Sequence, residues 1–189
     1  METFRISPDG KFMALAASRG FVNVLNATTY QWVCAAKIEG RVADMSWWGD
    51  SHGLTIVNKA GGVWEFDVLS EKVVARWRDE GGHATTVLKN GGNRWIAIGS
   101  QSGIVNVYDR ARSFGGSGSN VPSGGTKENP KPVRVLEQLV TAVSVIEFSP
   151  DFQVLAVASK GKKDALRMGT FTFPPTLLHI YIYIIRLAN

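Results

Sequence analysis

Residues 49–53 read GDSHG, a serine between two glycines with a histidine beside it and an aspartate before it. That spacing matches the G-x-S-x-G elbow, in which a sharp turn lifts a nucleophilic hydroxyl over a sheet. The elbow needs a strand running into a helix above parallel strands. Here MSWW precedes the motif and LTIVNK follows it, both strand-like, so the segment reads as a hairpin turn and Ser51 as a turn residue. His52, His83, His179 and the single cysteine, Cys34, are scattered, with no pair at ligand spacing and no carboxylate cluster beside them. The glycine-rich stretch after residue 113 lacks the Gly-Lys-Ser/Thr ending of a phosphate-binding loop. The expectation is therefore no catalytic residue, no metal, no cofactor and no small-molecule substrate.

One group of side chains keeps a chemical reading. KGKKDALR places Lys160, Lys162, Lys163 and Arg167 within eight residues, and Arg110 and Arg112 stand at the edge of the glycine-rich stretch. Clustered cations contact RNA phosphates by releasing condensed counterions. A solvated turn explains them as well, because no aromatic side chains interleave with the lysines as stacking platforms would. Charge is uneven along the chain: residues 1–109 hold eleven basic and eleven acidic side chains, whereas 110–189 hold ten and five and supply the whole net +5. The expected electrostatic attraction to nucleic acid therefore lies in the second half.

These residues sit in a repeat. SGIVNVYDR at 102–110 is a glycine turn followed by an alternating strand that ends on an acid, and the same shape recurs in RGFVNVLNA from Arg19 and GGVWEFDVL from Gly61. Aligning Gly20, Gly62 and Gly103 gives spacings of 42 and 41 residues, the period of WD repeats. A fourth copy ends LAVAS at Ser159, 59 residues after Ser100. The excess is accounted for by residues 113–132, whose Gly, Ser, Pro and Asn content offers little apolar surface to offset the entropy of ordering. They read as an inserted flexible loop.

Within the second copy VADMSWW, GLTIVNK, GVWEFDV and KVVARWR read as four short strands, and four strands make a propeller blade. The pairs Leu25-Asn26, Phe66-Asp67 and Tyr108-Asp109 stand where a WD repeat closes its third strand. The first member is expected to pack between sheets and the second to accept turn N–H groups. Gly82-His83 stands where such repeats place a Gly-His pair, with the histidine expected to bond within the blade. SPDG at Ser7–Gly10 and SPD at Ser149–Asp151 read as hairpin turns, since proline presets its φ and aspartate caps the following amides. NAT at Asn26 matches a glycosylation acceptor and reads more simply as a turn. Twenty glycines and many Val/Ile-rich runs favour an all-β chain. The lone cysteine and an opening segment without a secretory core point to a reducing compartment.

Taken in order, FRISPDGKFMALAASRGFVNVLNATTYQWV, SGIVNVYDR, LVTAVSVIEFSPDFQVLAVAS and KKDALR resemble the WD-repeat proteins associated with U3 small nucleolar RNA in the small-subunit processome. The resemblance covers about residues 4–167. It implies an all-β, WD40-type β-propeller, partial at about 3.5 four-stranded blades, because such proteins carry earlier blades and a long N-terminal extension. It also implies a nucleolar scaffold without catalytic activity. The implied partners are processome proteins and U3 small nucleolar RNA or pre-rRNA, in ribosomal RNA processing and 18S rRNA maturation. Arg110, Arg112, Lys160, Lys162, Lys163 and Arg167 are the candidate RNA or partner contacts. A WD scaffold of another complex, and a truncated splice product without function, remain alternatives.

After Arg167 the likeness stops, and residues 168–189 read as an apolar tail foreign to the repeat. Its run from Leu177 to Leu187 would extend about 16 Å as a helix against roughly 30 Å of hydrocarbon, so no membrane span is expected. HIYIYII is instead the composition of an edge-pairing strand. With open blade faces and this strand, the chain is expected to associate.

Overall fold

The computed structural model describes residues 3–81, 84–111, 129–137, 139–163, 165–170 and 183–184. It contains four antiparallel sheets of four strands each. The first holds β1 (Thr3–Ile6), β2 (Phe12–Ala16), β3 (Phe21–Asn26) and β4 (Trp32–Lys37). The second holds β5 (Val42–Trp47), β6 (Gly53–Asn58), β7 (Gly62–Asp67) and β8 (Lys72–Arg78). The third holds β9 (Thr85–Gly91), β10 (Trp95–Ser100), β11 (Val105–Asp109) and β12 (Arg134–Leu136). The fourth holds β13 (Val145–Phe148), β14 (Val154–Ala158), β15 (Leu166–Thr170) and the two-residue β16 (Tyr183–Ile184). Each sheet is a meander in chain order, which is the topology of a propeller blade. The fourth sheet has three full strands and the two-residue β16, so four sheets stand where about 3.5 blades were expected.

Consecutive sheets pack face to face, and each junction has its own core. Ala14, Val22 and Val24 of the first sheet meet Met45, Leu54, Ile56 and Phe66 of the second. Val57, Val63 and Trp77 of the second meet Leu88, Ile96, Ile98 and Tyr108 of the third. Ala97, Val105 and Val107 of the third meet Ile146, Leu155 and Val157 of the fourth. Strand alternation supplies both faces at once, so the central sheets are apolar on two sides. Fully burying one Leu- or Phe-sized side chain contributes ~1.5–3 kcal/mol, so these three layers hold the stack together.

The repeat glycine has a steric cause. Gly20 has φ +79° and Gly103 φ +91°, and a Cβ at either would collide with a carbonyl oxygen, that of Gly40 or of Leu139. In the second copy the equivalent residue is Gly61, with φ +84°, whereas Gly62 is the first residue of β7. The expected alignment through Gly62 is thus corrected by one residue, and the spacings become 41 and 42. The carbonyls of Gly20 and Gly61 each accept an N–H, from Ile38 and Asp79.

Turn chemistry follows the expectation closely. The Ser7 hydroxyl donates to Asp9 Oδ1 at 2.6 Å and accepts the Phe12 amide at 2.9 Å, while Asp9 Oδ1 also accepts the Lys11 amide at 3.0 Å. Ser149 and Asp151 repeat this set toward Gln153 and Val154. Asn26 Oδ1 accepts the amides of Thr28 and Thr29, both at 2.9 Å, and Asp67 Oδ1 those of Leu69 and Ser70 at 2.9 and 3.4 Å. Phe66 and Tyr108, the residues before the acids, are buried between sheets. Gly82-His83 and His179 lie outside the described residues.

Candidate RNA and partner interface

The meander sends its turns to opposite ends of the stack. At one end lie the turns between second and third strands, around Arg19, Lys59, Ser102 and Lys162, and the connections from one sheet to the next. Backbone bonds tie this end together: Lys59 N to Arg41 O, Asp79 N to Gly61 O and Val143 N to Ser100 O. At the other end lie the first hairpin and the third-to-fourth turn of each sheet. Its links include the Asp9 amide donating to Ser51 Oγ at 3.1 Å and the Asn93 side chain donating to Asp50 at 2.8 Å.

Lys160, Lys162 and Lys163 are exposed in the turn joining β14 to β15, at the first end. Arg167 follows within β15, opposite Val157, and is half-buried. Arg112 lies outside the described residues. Arg110 does not join this patch. It follows β11 directly, so the five residues of that strand, about 3.4 Å each, separate it from the lysine-bearing end.

Its guanidinium also turns inward. Arg110 Nη2 donates to Glu65 Oε2 at 3.2 Å and to Thr55 Oγ1 at 3.0 Å, and the guanidinium lies 4.8 Å from the Trp48 ring centroid. The Glu65 oxygen further accepts from Trp48 Nε1 and Thr55 Oγ1, both at 2.9 Å. Side-chain exposure is 14% for Arg110 and 2% for Glu65. Burial pushes the Glu65 carboxyl upward and the Arg110 guanidinium downward, and each opposes the other's shift by its charge. Arg110, expected as an RNA or partner contact, is held in an ion pair that joins the second sheet to the third.

Ser51 is similarly structural in its placement. It is 2% exposed, and its loop joins the antiparallel strands β5 and β6, with no helix following it. Cys34 is buried in β4, and burial pushes its thiol up to about 11. Among the described residues, no group of three His, Cys, Asp or Glu side chains is placed to hold a metal, and no helix is long and apolar enough to cross a membrane.

The structure adds cations that sequence order concealed. Arg19, Arg41, Lys59 and Arg78 are exposed at the same end as Lys160, Lys162 and Lys163, against the exposed acids Glu39, Glu80 and Glu137. The opposite end exposes Asp9, Asp50, Glu71 and Asp151 against Lys11, Lys72 and Arg94. Charge therefore segregates by end of the stack, and four of the cations at the basic end come from the electrically balanced half of the chain. A cavity of roughly 310 Å³ opens near the acidic end, lined by Arg5, Ile6, Trp47, Lys89 and Phe152. Its two cations are already paired, Arg5 with Asp44 at 2.6 Å and Lys89 with Glu147 at 2.7 Å, so it adds little positive field.

No family model matches the chain. The probable U3 small nucleolar RNA-associated protein 18 of Schizosaccharomyces pombe is 38% identical, over 89% of this chain and 30% of that protein. The Saccharomyces cerevisiae U3 small nucleolar RNA-associated protein 18 is 37% identical, over 82% and 28%. The human homolog is 31% identical, over 89% and 28%. The chain thus spans about three tenths of the length of the curated relatives it matches. Among solved structures, a chain of the mitotic checkpoint complex superposes with a TM-score of 0.69 at 16% identity, over 88% of this chain and 48% of that one. Likeness at that identity carries the fold alone, and it places the four sheets in the WD40-type propeller class.

Proposed function

Over about nine tenths of its length this chain is homologous to proteins named U3 small nucleolar RNA-associated protein 18, and from that kinship we propose that it acts as a non-enzymatic scaffold in the U3 small nucleolar ribonucleoprotein. Its role there is to hold processome proteins and U3 RNA or pre-rRNA together during pre-rRNA processing and 18S rRNA maturation, in the nucleolus. The observation that carries the RNA part is the basic end of the stack. Lys160, Lys162 and Lys163 share it with Arg19, Arg41, Lys59 and Arg78, and a surface with this excess of positive charge attracts phosphate without any need for a pocket. The scaffold part rests on chemistry already placed elsewhere: Ser51 is buried in a hairpin, and the Glu65–Arg110 pair joins two sheets.

The test is affinity capture of the tagged chain from a nuclear extract, reading co-purified RNA and protein together. The expected result is enrichment of U3 RNA with processome proteins, reduced when Lys160, Lys162 and Lys163 are changed to Glu. Enrichment of a different assembly without U3 RNA would place the chain as a WD scaffold of another complex. Labelling of Ser51 by a fluorophosphonate probe would overturn the non-enzymatic reading; no labelling is expected.

A further inference from the structure

Gly62 opens β7 without a positive φ, so its cause lies in what stands over it. A Cβ there would come within 2.6 Å of the Trp64 ring and 3.2 Å of the Asn58 side-chain nitrogen. These residues form one wall of a cavity of roughly 350 Å³ at the basic end, which Glu39, Arg76, Arg78 and Asn129 complete. A second cavity, of roughly 400 Å³, shares Arg78 and Asn129 with the first and continues to Glu80 and Lys131. Both volumes fall in the range of small-ligand sites.

Arg76 is held as a plate beside this wall. It pairs across the strands with Trp64, its guanidinium lies 5.3 Å from the ring centroid, and its Nη2 donates to Glu39 Oε2 at 2.6 Å. The side chain is still 56% exposed, so a flat group has room to lie against it. Guanidinium planes stack nucleobases, and a plate already held by a ring and a carboxylate loses little freedom when a base arrives. Hydrogen-bonding groups stand next to it. Asn129 Oδ1 accepts the Arg78 amide at 3.0 Å, which orients the side chain and leaves Nδ2 to donate, while Glu39 keeps Oε1 to accept.

The order of charges decides the occupant. Glu39 and Glu80 line the cavities, whereas the exposed cations Lys59, Arg78 and Lys131 surround them. A phosphorylated peptide side chain seated inside would face the acids, and a basic peptide would face the cations. A nucleotide meets both demands, with its neutral base inside and its phosphate outside. We propose that this groove is a base-binding subsite for single-stranded RNA. One base stacks on Arg76 and donates an exocyclic amine to Glu39, and the flanking phosphates lie on Lys59, Arg78 and Lys131. Paired and stacked bases of a duplex cannot enter. Cytosine is favoured over uracil, which sets a carbonyl on either side of the single N–H of its pairing edge. The proposal rests on the RNA-binding reading and narrows it from attraction of phosphate to recognition of a base.

Fluorescence anisotropy of the full chain with labelled strands of about 12 nucleotides tests it, comparing oligo(C), oligo(U), an abasic strand and an oligo(C)·oligo(G) duplex. Oligo(C) is expected to bind at least about fivefold more tightly than the abasic strand, the lower bound for stacking one base. Arg76→Lys keeps the charge and loses the plane. It is expected to bring oligo(C) close to the abasic strand while leaving duplex binding and the slope of log affinity against log salt unchanged. Glu39→Gln is expected to narrow the preference for oligo(C) over oligo(U). Circular dichroism checks that each variant folds, and Asn129→Ala probes the other wall of the groove if Arg76→Lys does not. Equal affinity for oligo(C) and the abasic strand, with both weakened by charge reversal at Lys160, Lys162 and Lys163, would overturn the subsite and leave the basic end a phosphate surface. Binding of no strand at all would overturn the RNA reading and the subsite with it. A phosphorylated peptide whose binding Arg76→Lys weakens, while that of oligo(C) is unmoved, would assign the groove to a protein partner and overturn the proposal.

Discussion

Arg110 and Glu65 meet across 45 residues of chain, with Thr55, Trp48 and Asn90 around them. Removing one member of a buried pair leaves the other charged and unsolvated, which costs about 3–5 kcal/mol. Arg110→Ala is therefore expected to lower the unfolding free energy, read by urea titration, by an amount of that order. It should leave the salt dependence of RNA binding unchanged, because the side chain contacts Glu65 and not phosphate. Asp79 presents the complementary case of a buried carboxylate held by neutral donors. Its Oδ1 accepts from Tyr108 Oη at 2.6 Å and from Asn106 Nδ2 at 2.9 Å, and burial pushes its carboxyl above the ordinary value of 3.8 in spite of those bonds. The folded state then holds its proton more tightly than the unfolded state does. Stability from this group is present below that ordinary value and is lost as pH rises through the folded value. Asp79→Asn is expected to flatten that decline, read as urea midpoints over a pH series; an unchanged slope would show that Asp79 is ionised in the fold without penalty.

Elements built from local chemistry were legible in the sequence, and those built from distant contacts were not. The side chains of Ser7 and Asp9 make their hairpin by bonding one another and the amides of Lys11 and Phe12, so SPDG dictates the turn wherever it stands. Ser7→Ala removes two of those bonds and is expected to cost roughly 1–2 kcal/mol by denaturant titration, with Ser149→Ala similar. Four sheets were likewise readable, because glycines at Gly20 and Gly103 are demanded by neighbouring carbonyls and recur with the repeat; the second copy was misaligned by one residue because Gly61 and Gly62 are adjacent and only φ tells them apart. The ion pair of Arg110 was not legible because its partners Thr55, Glu65 and Asn90 lie on three other strands, β6, β7 and β9. The basic end escaped notice for a topological reason. Each meander returns to that end by way of turns far apart in sequence, so Arg19, Arg41 and Lys59 join Lys160 only in the folded stack. If that end meets RNA, changing Lys160, Lys162 and Lys163 to Glu should flatten the plot of log affinity against log salt by about 0.7 per lost contact with single strands. The same change at Arg19, Arg41 and Lys59 should flatten it too, whereas charge changes at Lys11 and Lys72, on the opposite end, should not.

At the scale of the whole molecule the sheets behave as a short one-dimensional array, each stabilised by its own hydrogen bonds and by the faces it shares with neighbours. The second and third sheets share two faces, and Leu54, Ile56, Ile96 and Ile98 in them are at most 1% exposed. The first and fourth share one. Local opening free energy follows shared apolar contact, so amide exchange in a dilute sample should be slowest in β6, β7, β10 and β11 and faster in β2, β3 and β14. Leu155→Ala, which hollows the last junction, should cost about 2–5 kcal/mol locally and accelerate exchange in β14 and β15 before it reaches β6. Uniform acceleration across all four sheets would mean that the stack opens as one cooperative unit, with the junctions too strong for any sheet to part from the rest alone.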